Sequence, residues 1–193
     1  MHKCLGLAAA VLGGVALMAQ GAVYPVASAP SEFAEPVTRA MKAFDSLQAT
    51  LSARLMEEMK AGGPTRAVGV CRDEAPALTA KIGQEAGMAL GRTSDRLRNP
   101  ANEPRPWVRP LLAKAAGRKA GDVQPLVVDL GASVGVLRPI GTASACTTCH
   151  GTDARRPAAL KEVWGTHYPK DRAVGFEEGD LRGFFWAEVP KTR

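Results

Sequence analysis

Apolar side chains recur at steps of three and four through residues 36–61, at Val37, Met41, Phe44, Leu47, Leu51, Leu55 and Met59. That spacing lines them along one face of a long amphipathic helix. Pro36 suits the first turn, where its missing N–H leaves no bond unmade, and Gly62-Gly63-Pro64 stops the pattern. A second helical face starts near Thr65, a good N-cap, and aligns Val68, Cys71, Ala75, Leu78 and Ile82. Pro76 falls inside it. Without an N–H, and crowding the preceding turn, it should kink or split this helix just after Cys71. Gly87 closes the segment.

The period then changes. Residues 88–93 read as a short strand, and 94–106 as a polar loop with three prolines. Residues 107–118 form a third, shorter helical pattern. Two Val-rich runs, 125–130 and 133–140, meet across Gly131-Ala132 as a hairpin. Residues 158–164 read as helix and 168–179 as loop. Residues 180–189, with Leu181, Phe184, Phe185 and Trp186, read as a last strand. The expected class is α+β: a small antiparallel sheet with a long N-terminal helix and flanking helices. No internal repeat or low-complexity run appears.

The N-terminus departs from this pattern. Met1-His2-Lys3 is short and positive, and residues 5–19 are uncharged and apolar, as in a secretory signal peptide. Ala27-Ser28-Ala29 has the small-x-small pattern but is followed by Pro30, a poor residue after a cut. Ala19-Gln20-Gly21 is the other candidate. The expected division is a signal peptide over 1–29, cut between 21 and 29, and one domain over 30–193, long enough for a real core. An uncleaved anchor is the alternative, because no charge intervenes between Lys3 and Glu32. The glycines of the apolar run favour cleavage. No later run is apolar enough to span a membrane. The net charge is +6. In a cytoplasmic protein that balance would raise nucleic acid as a partner. A periplasmic or otherwise exported protein is not expected to bind nucleic acid, and an acidic group fits better.

Cysteine usage narrows the chemistry. Cys4 lies in the leader, which leaves Cys71, Cys146 and Cys149, an odd number for an oxidising compartment. Cys146-Thr147-Thr148-Cys149-His150 is the attachment sequence of c-type haem. Two thiols at this spacing add across the two vinyl groups, and the next residue, His150, is held at the iron. Three other readings are weaker. A redox pair lacks a surrounding βαβ unit. A zinc site needs four ligands and usually two close pairs. A Cys146–Cys149 disulfide leaves the adjacent histidine without a reason. One covalently attached haem c is therefore expected, on a scaffold unlike an all-helical cytochrome.

The occupant of the sixth iron position decides the function. The candidates are His167, Met41, Met56, Met59, Met88 and Cys71, or the position is open. Cys71 reads equally as a buried core thiol on an apolar helix face. Against that, it is the odd cysteine, and it lies beside the distortion expected at Pro76. Arg92, Arg96, Arg98 and Arg105 cluster near one loop. Guanidinium groups suit haem propionates, and Arg92 and Arg98 are the expected partners; a solvated basic loop is the plainer reading. Trp107 reads as a core anchor.

Several ordered segments carry a resemblance. They are Cys71-Arg72-Asp73-Glu74-Ala75-Pro76, Gly91-Arg92-Thr93-Ser94, Arg98-Asn99-Pro100-Ala101-Asn102, Pro106-Trp107, the attachment motif with Gly151, and Gly179-Asp180-Leu181-Arg182-Gly183. Together they resemble the single-haem, PAS-like c-type haem domains, formerly a domain of unknown function. That family occurs as stand-alone exported proteins and as sensor parts of kinases and chemoreceptors. The resemblance implies a PAS-like sheet and iron held between His150 and Cys71. It implies a sensor of redox state or of a small diatomic gas. A low-potential single-haem electron carrier is the alternative, and an enzyme is not expected because Cys71 would fill the reactive position. No kinase or receptor module follows the domain in these 193 residues, so a separate redox or signalling partner is expected.

Overall fold

The computed structural model describes residues 21–191. The apolar run at 5–19, read as a signal peptide, lies outside the described residues. The long helix α1 runs over Ala34–Gly69, but Gly62 (φ −164°, ψ 18°) and Gly63 (φ 71°, ψ −170°) interrupt its helical geometry. The helix expected over 36–61 thus ends where Gly-Gly-Pro implied, with Gly63 in the left-handed region that glycine tolerates. The chain resumes helical geometry after this break. It then widens into a π-turn at Val70–Glu74 before α2, Ala75–Glu85, with Pro76 in its first turn. Pro76 has no N–H for the carbonyl four residues back, so the ladder cannot close normally there. The distortion expected beside Cys71 is this π-turn.

Five strands form one antiparallel sheet. They are β1 (Val23–Pro25), β2 (Ala89–Thr93), β3 (Leu126–Asp129), β4 (Ser133–Gly141) and β5 (Leu181–Pro190), in the order β1-β3-β4-β5-β2. The alternation along β5 divides two cores. Phe185, Ala187 and Val189 face α1, where the Phe44 and Phe185 rings stack at 5.5 Å. Phe184 faces the other way, and so does Leu181 beyond a β-bulge that shifts the alternation, with Val108, Leu111 and Leu112 at and in α3 (Arg109–Ala115). α3 is shorter than the helix expected over 107–118, and Gly117, at φ 75°, turns the chain after it. α4 (Thr147–His150) and α5 (Ala158–His167) complete the fold, which is α+β and PAS-like. Among the described residues no helix is long and apolar enough to cross a membrane.

One strand went unanticipated. β1 pairs Val23 with Val128 and Pro25 with Leu126. The Val26 N–H donates to the Pro125 carbonyl (3.0 Å), and the Asp129 N–H donates to the Ala22 carbonyl (3.0 Å). Tyr24 packs against Phe33 with ring centroids 6.0 Å apart. Ahead of residue 30, where the domain was expected to start, Tyr24, Val26 and Ala29 pack against the edge of the α1 core.

Candidate functional site

The attachment motif lies on a short helical stretch, a turn at Ser144–Cys146 running into α4. The Gly151 N–H closes it on the Thr147 carbonyl (2.8 Å). A Cβ at Gly151 would run into that same carbonyl, which explains the glycine after His150. The His150 Nδ1 lies 2.8 Å from the Ala173 carbonyl oxygen. A carbonyl can only accept, so Nδ1 carries the proton and Nε2 holds the free lone pair of the neutral ring. Burial, reinforced by Arg182, Arg98 and Arg92, pushes the His150 pKa well down and keeps the ring neutral. Phe176 stands edge-on to it, centroids 6.3 Å apart, and its N–H donates to the His150 carbonyl (2.9 Å).

The loop that supplies Ala173 is held by Arg98. Its Nε donates to Asp171 Oδ2 (3.0 Å), with both side chains more than nine-tenths buried. Its Nη2 donates to the carbonyls of Cys149 (2.8 Å) and Ala173 (3.3 Å). Its guanidinium carbon lies 3.8 Å over the Trp164 ring. Arg98, expected at a propionate, is thus at the site but directs its donors into the protein's own backbone.

Cys71 sits in the π-turn, half-buried. Burial raises its pKa, while Arg92, Arg98 and Arg182 oppose the rise. These three guanidinium groups also act on His150, so the fold brings Cys71 and the motif into one cationic surround. Burial pushes the Cys149 thiol up to about 11, with Arg98 opposing and Cys71 and Cys146 adding. Tyr168, almost fully buried, is raised first by burial and next by Cys71. The turn is tied on two sides. Arg54 grips Glu74 through Nε (2.8 Å) and Nη2 (2.9 Å), and Arg72 Nη1 lies 2.8 Å from a ring nitrogen of His167.

The other ligand candidates lie elsewhere or outward. His167 is exposed at the end of α5, Met41 and Met88 belong to the α1–sheet core, and Met56 is 50% exposed. Met59 is half-buried on α1. Among the described residues Cys71, Cys146 and Cys149 are free thiols, and no three His, Cys, Asp or Glu side chains converge as a metal-ion cage.

The arginines divide. Arg92, half-buried on β2, has no hydrogen-bond partner among the described residues, and burial lowers its pKa against the pull of Cys71. Arg182, which the residue-by-residue reading missed, is pushed down to about 10 by burial and by Arg98 and Arg92. Among the described residues its guanidinium has one hydrogen bond, a 3.4 Å contact to the Arg96 carbonyl. Arg96 donates to the Val174 carbonyl (2.9 Å) and lies 3.5 Å over the Phe176 ring. Arg105 does not join the group: it binds Glu188 (2.8 and 2.9 Å), together with the Trp107 Nε1–H (2.8 Å), on the α3 side of the sheet. Trp107 packs into that core as expected. The Trp164 Nε1–H is buried without an acceptor among the described residues. A buried donor left unmade costs free energy. Two thiols, a neutral histidine, guanidinium groups with spare donors and this orphaned indole fit a flat, carboxylate-bearing group such as haem.

Glycines in the resembling segments serve close packing. A Cβ on Gly91 would strike the Trp186 ring, and Gly183 (φ 152°) lies against the Thr93 carbonyl. These glycines let β2 and β5 meet beside the site.

Comparison with curated proteins finds no match. Among solved structures, the chain is similar to the crystal structure of the cyanobacterial heme-protein Tll0287, with 26% identity and a TM-score of 0.60. The match covers 86% of this chain and 99% of that one. A family model described as Tll0287-like matches residues 27–190, which is most of the chain. The chain belongs to the Tll0287-like family.

Proposed function

We propose that the protein is an exported single-haem c-type protein that senses redox state or a small diatomic gas. The observation that carries the reading is His150, whose Nδ1 proton is held by the Ala173 carbonyl and whose Nε2 is left free, in the same cationic surround as Cys71. A metal-ligating histidine with its other nitrogen on a carbonyl is the expected arrangement. The similarity to a heme-protein supports the same cofactor.

Cys146 and Cys149 would hold the haem covalently, His150 and Cys71 would ligate its iron, and Arg92 and Arg182 would meet its carboxylates. Haem would supply a one-electron couple and, where a ligand yields, a site for a small gas. His150 is the fixed side, anchored through ring and backbone. Cys71 is the exchangeable side. Burial favours its protonated thiol, and three arginines favour its thiolate. Tyr168 and Trp164 pack in an apolar cluster against Cys149. With both His150 and Cys71 assigned to the iron, the reading is a sensor rather than an enzyme, acting through a redox or signalling partner.

The test is a CO titration of the reduced protein. Uptake, with Cys71 displaced, is the expected result. No uptake would favour a low-potential electron carrier that keeps both ligands. For export, N-terminal sequencing of the secreted protein should find a start no later than Ala22, because β1 belongs to the fold.

A further inference from the structure

We infer that Arg98 and Asp171 are positioning residues for His150, fixing the hydrogen bond at its Nδ1 and through it the electron donation from Nε2. The inference rests on the reading of His150 as an iron ligand. The contacts close a circuit within the chain. From the Cys149 carbonyl the path passes to Arg98 Nη2 (2.8 Å), and from Arg98 Nε to Asp171 Oδ2 (3.0 Å). Asp171 Oδ1 accepts the Ala173 N–H (2.8 Å), and the Ala173 carbonyl accepts the His150 Nδ1–H (2.8 Å). The circuit starts and ends on adjacent residues of the attachment motif. Its ion pair is buried, with side-chain exposures of 7% and 9%.

A buried polar network with every member satisfied is rigid and specifies one arrangement. Here the specified quantity is the distance from a carbonyl to a ring N–H. A carbonyl held close to Nδ1–H makes the imidazole a stronger donor at Nε2, which favours the ferric state. Loosening it raises the reduction potential. The plainer role, a buried pair that only stabilises its loop, would change the melting temperature and leave the potential alone.

The test uses full-length, haem-loaded protein and a redox titration. Arg98→Lys keeps the charge, but a single ammonium cannot reproduce the planar fork that meets Asp171 and the two carbonyls. Its potential should rise, with a reduced-to-oxidised ratio about tenfold higher at the wild-type midpoint, or 59 mV for one electron. Asp171→Asn should rise in the same direction and further. Arg105→Gln breaks an ion pair on the far face and should lower Tm while the potential stays put. A wild-type potential in Arg98→Lys overturns the proposal, and so does a rise confined to Asp171→Asn, which would report charge alone. If Arg98→Lys does not accumulate, Asp171→Glu keeps the charge, displaces the carboxylate and carries the same expectation. The nitrogen hyperfine signal of an axial imidazole in the wild-type ferric protein separates the two claims. Its absence would remove the ligand reading itself, before any variant is compared.

Discussion

Around Phe44 and Phe185 the protein is packed by carbon, whereas around His150 it is packed by guanidinium groups on carbonyl oxygens and rings. The first region is a two-sided sheet with fully buried Phe44, Leu47, Val127, Val136, Leu137 and Phe184. The second has a small apolar cluster, Val68, Leu160, Trp164 and Tyr168, and takes its shape from Arg98, Asp171, Arg96 and Phe176. The two tolerate change differently. A carbon core accepts substitutions that keep volume and pattern. A buried polar network depends on each partner, and removing one leaves another unsatisfied. The sheet supplies stability, and the polar end supplies geometry.

The sharpest way to break this contrast is to remove the attachment thiols. In the Cys146→Ala, Cys149→Ala double variant, haem staining after denaturing electrophoresis should vanish altogether, while the sheet keeps its hydrogen-exchange protection. Retained stain would contradict covalent attachment through these two residues. Next in size is Phe44→Ala, which should lower the unfolding free energy by about 3–5 kcal/mol in urea, with the haem spectrum of the folded protein unchanged. A shifted spectrum would show that the two regions are not separable. The smallest effect concerns Glu188 on the far side of the sheet. Burial raises its pKa, but the hydrogen bonds from Arg105 and Trp107 outweigh burial and leave it lowered. A lowered folded-state value adds stability above the ordinary glutamate range, and that stability is lost as pH falls through the folded value. Arg105 is half-exposed, so the contribution is at most about 1 kcal/mol. Acid unfolding of Glu188→Gln should lack this component, and the haem spectrum should not follow it.

Much of the carbon-packed region was legible from sequence period alone. The stripe from Val37 to Leu51, the break at Gly62-Gly63-Pro64 and the alternation in β4 and β5 each depend on neighbours a few residues away. β1 was hidden because Val23, Tyr24 and Val26 continue the apolar character of the sequence at 5–19, and pairing with β3, about a hundred residues on, cannot be read locally. At the candidate site, the motif pointed to Cys146, Cys149 and His150, and Pro76 marked the distorted turn at Cys71. The arginines were harder. Arg98 and Arg105 look alike in the sequence, yet one turns inward to Asp171 and the other across to Glu188. What separates them is a fold-level contact at a distance of more than seventy residues. Arg182 had a local signal, a charge set between buried Leu181 and Gly183 at the start of a mostly apolar strand. Asp171 and Ala173 had none, since their roles exist only once the loop is folded against His150.

The central claim is that Cys71 and His150 share one iron. Electron paramagnetic resonance of the ferric protein, wild type against Cys71→Ser, tests it most directly. A low-spin thiolate-type signal in the wild type should be replaced in Cys71→Ser, with the haem still attached. An unchanged low-spin signal in Cys71→Ser would contradict it.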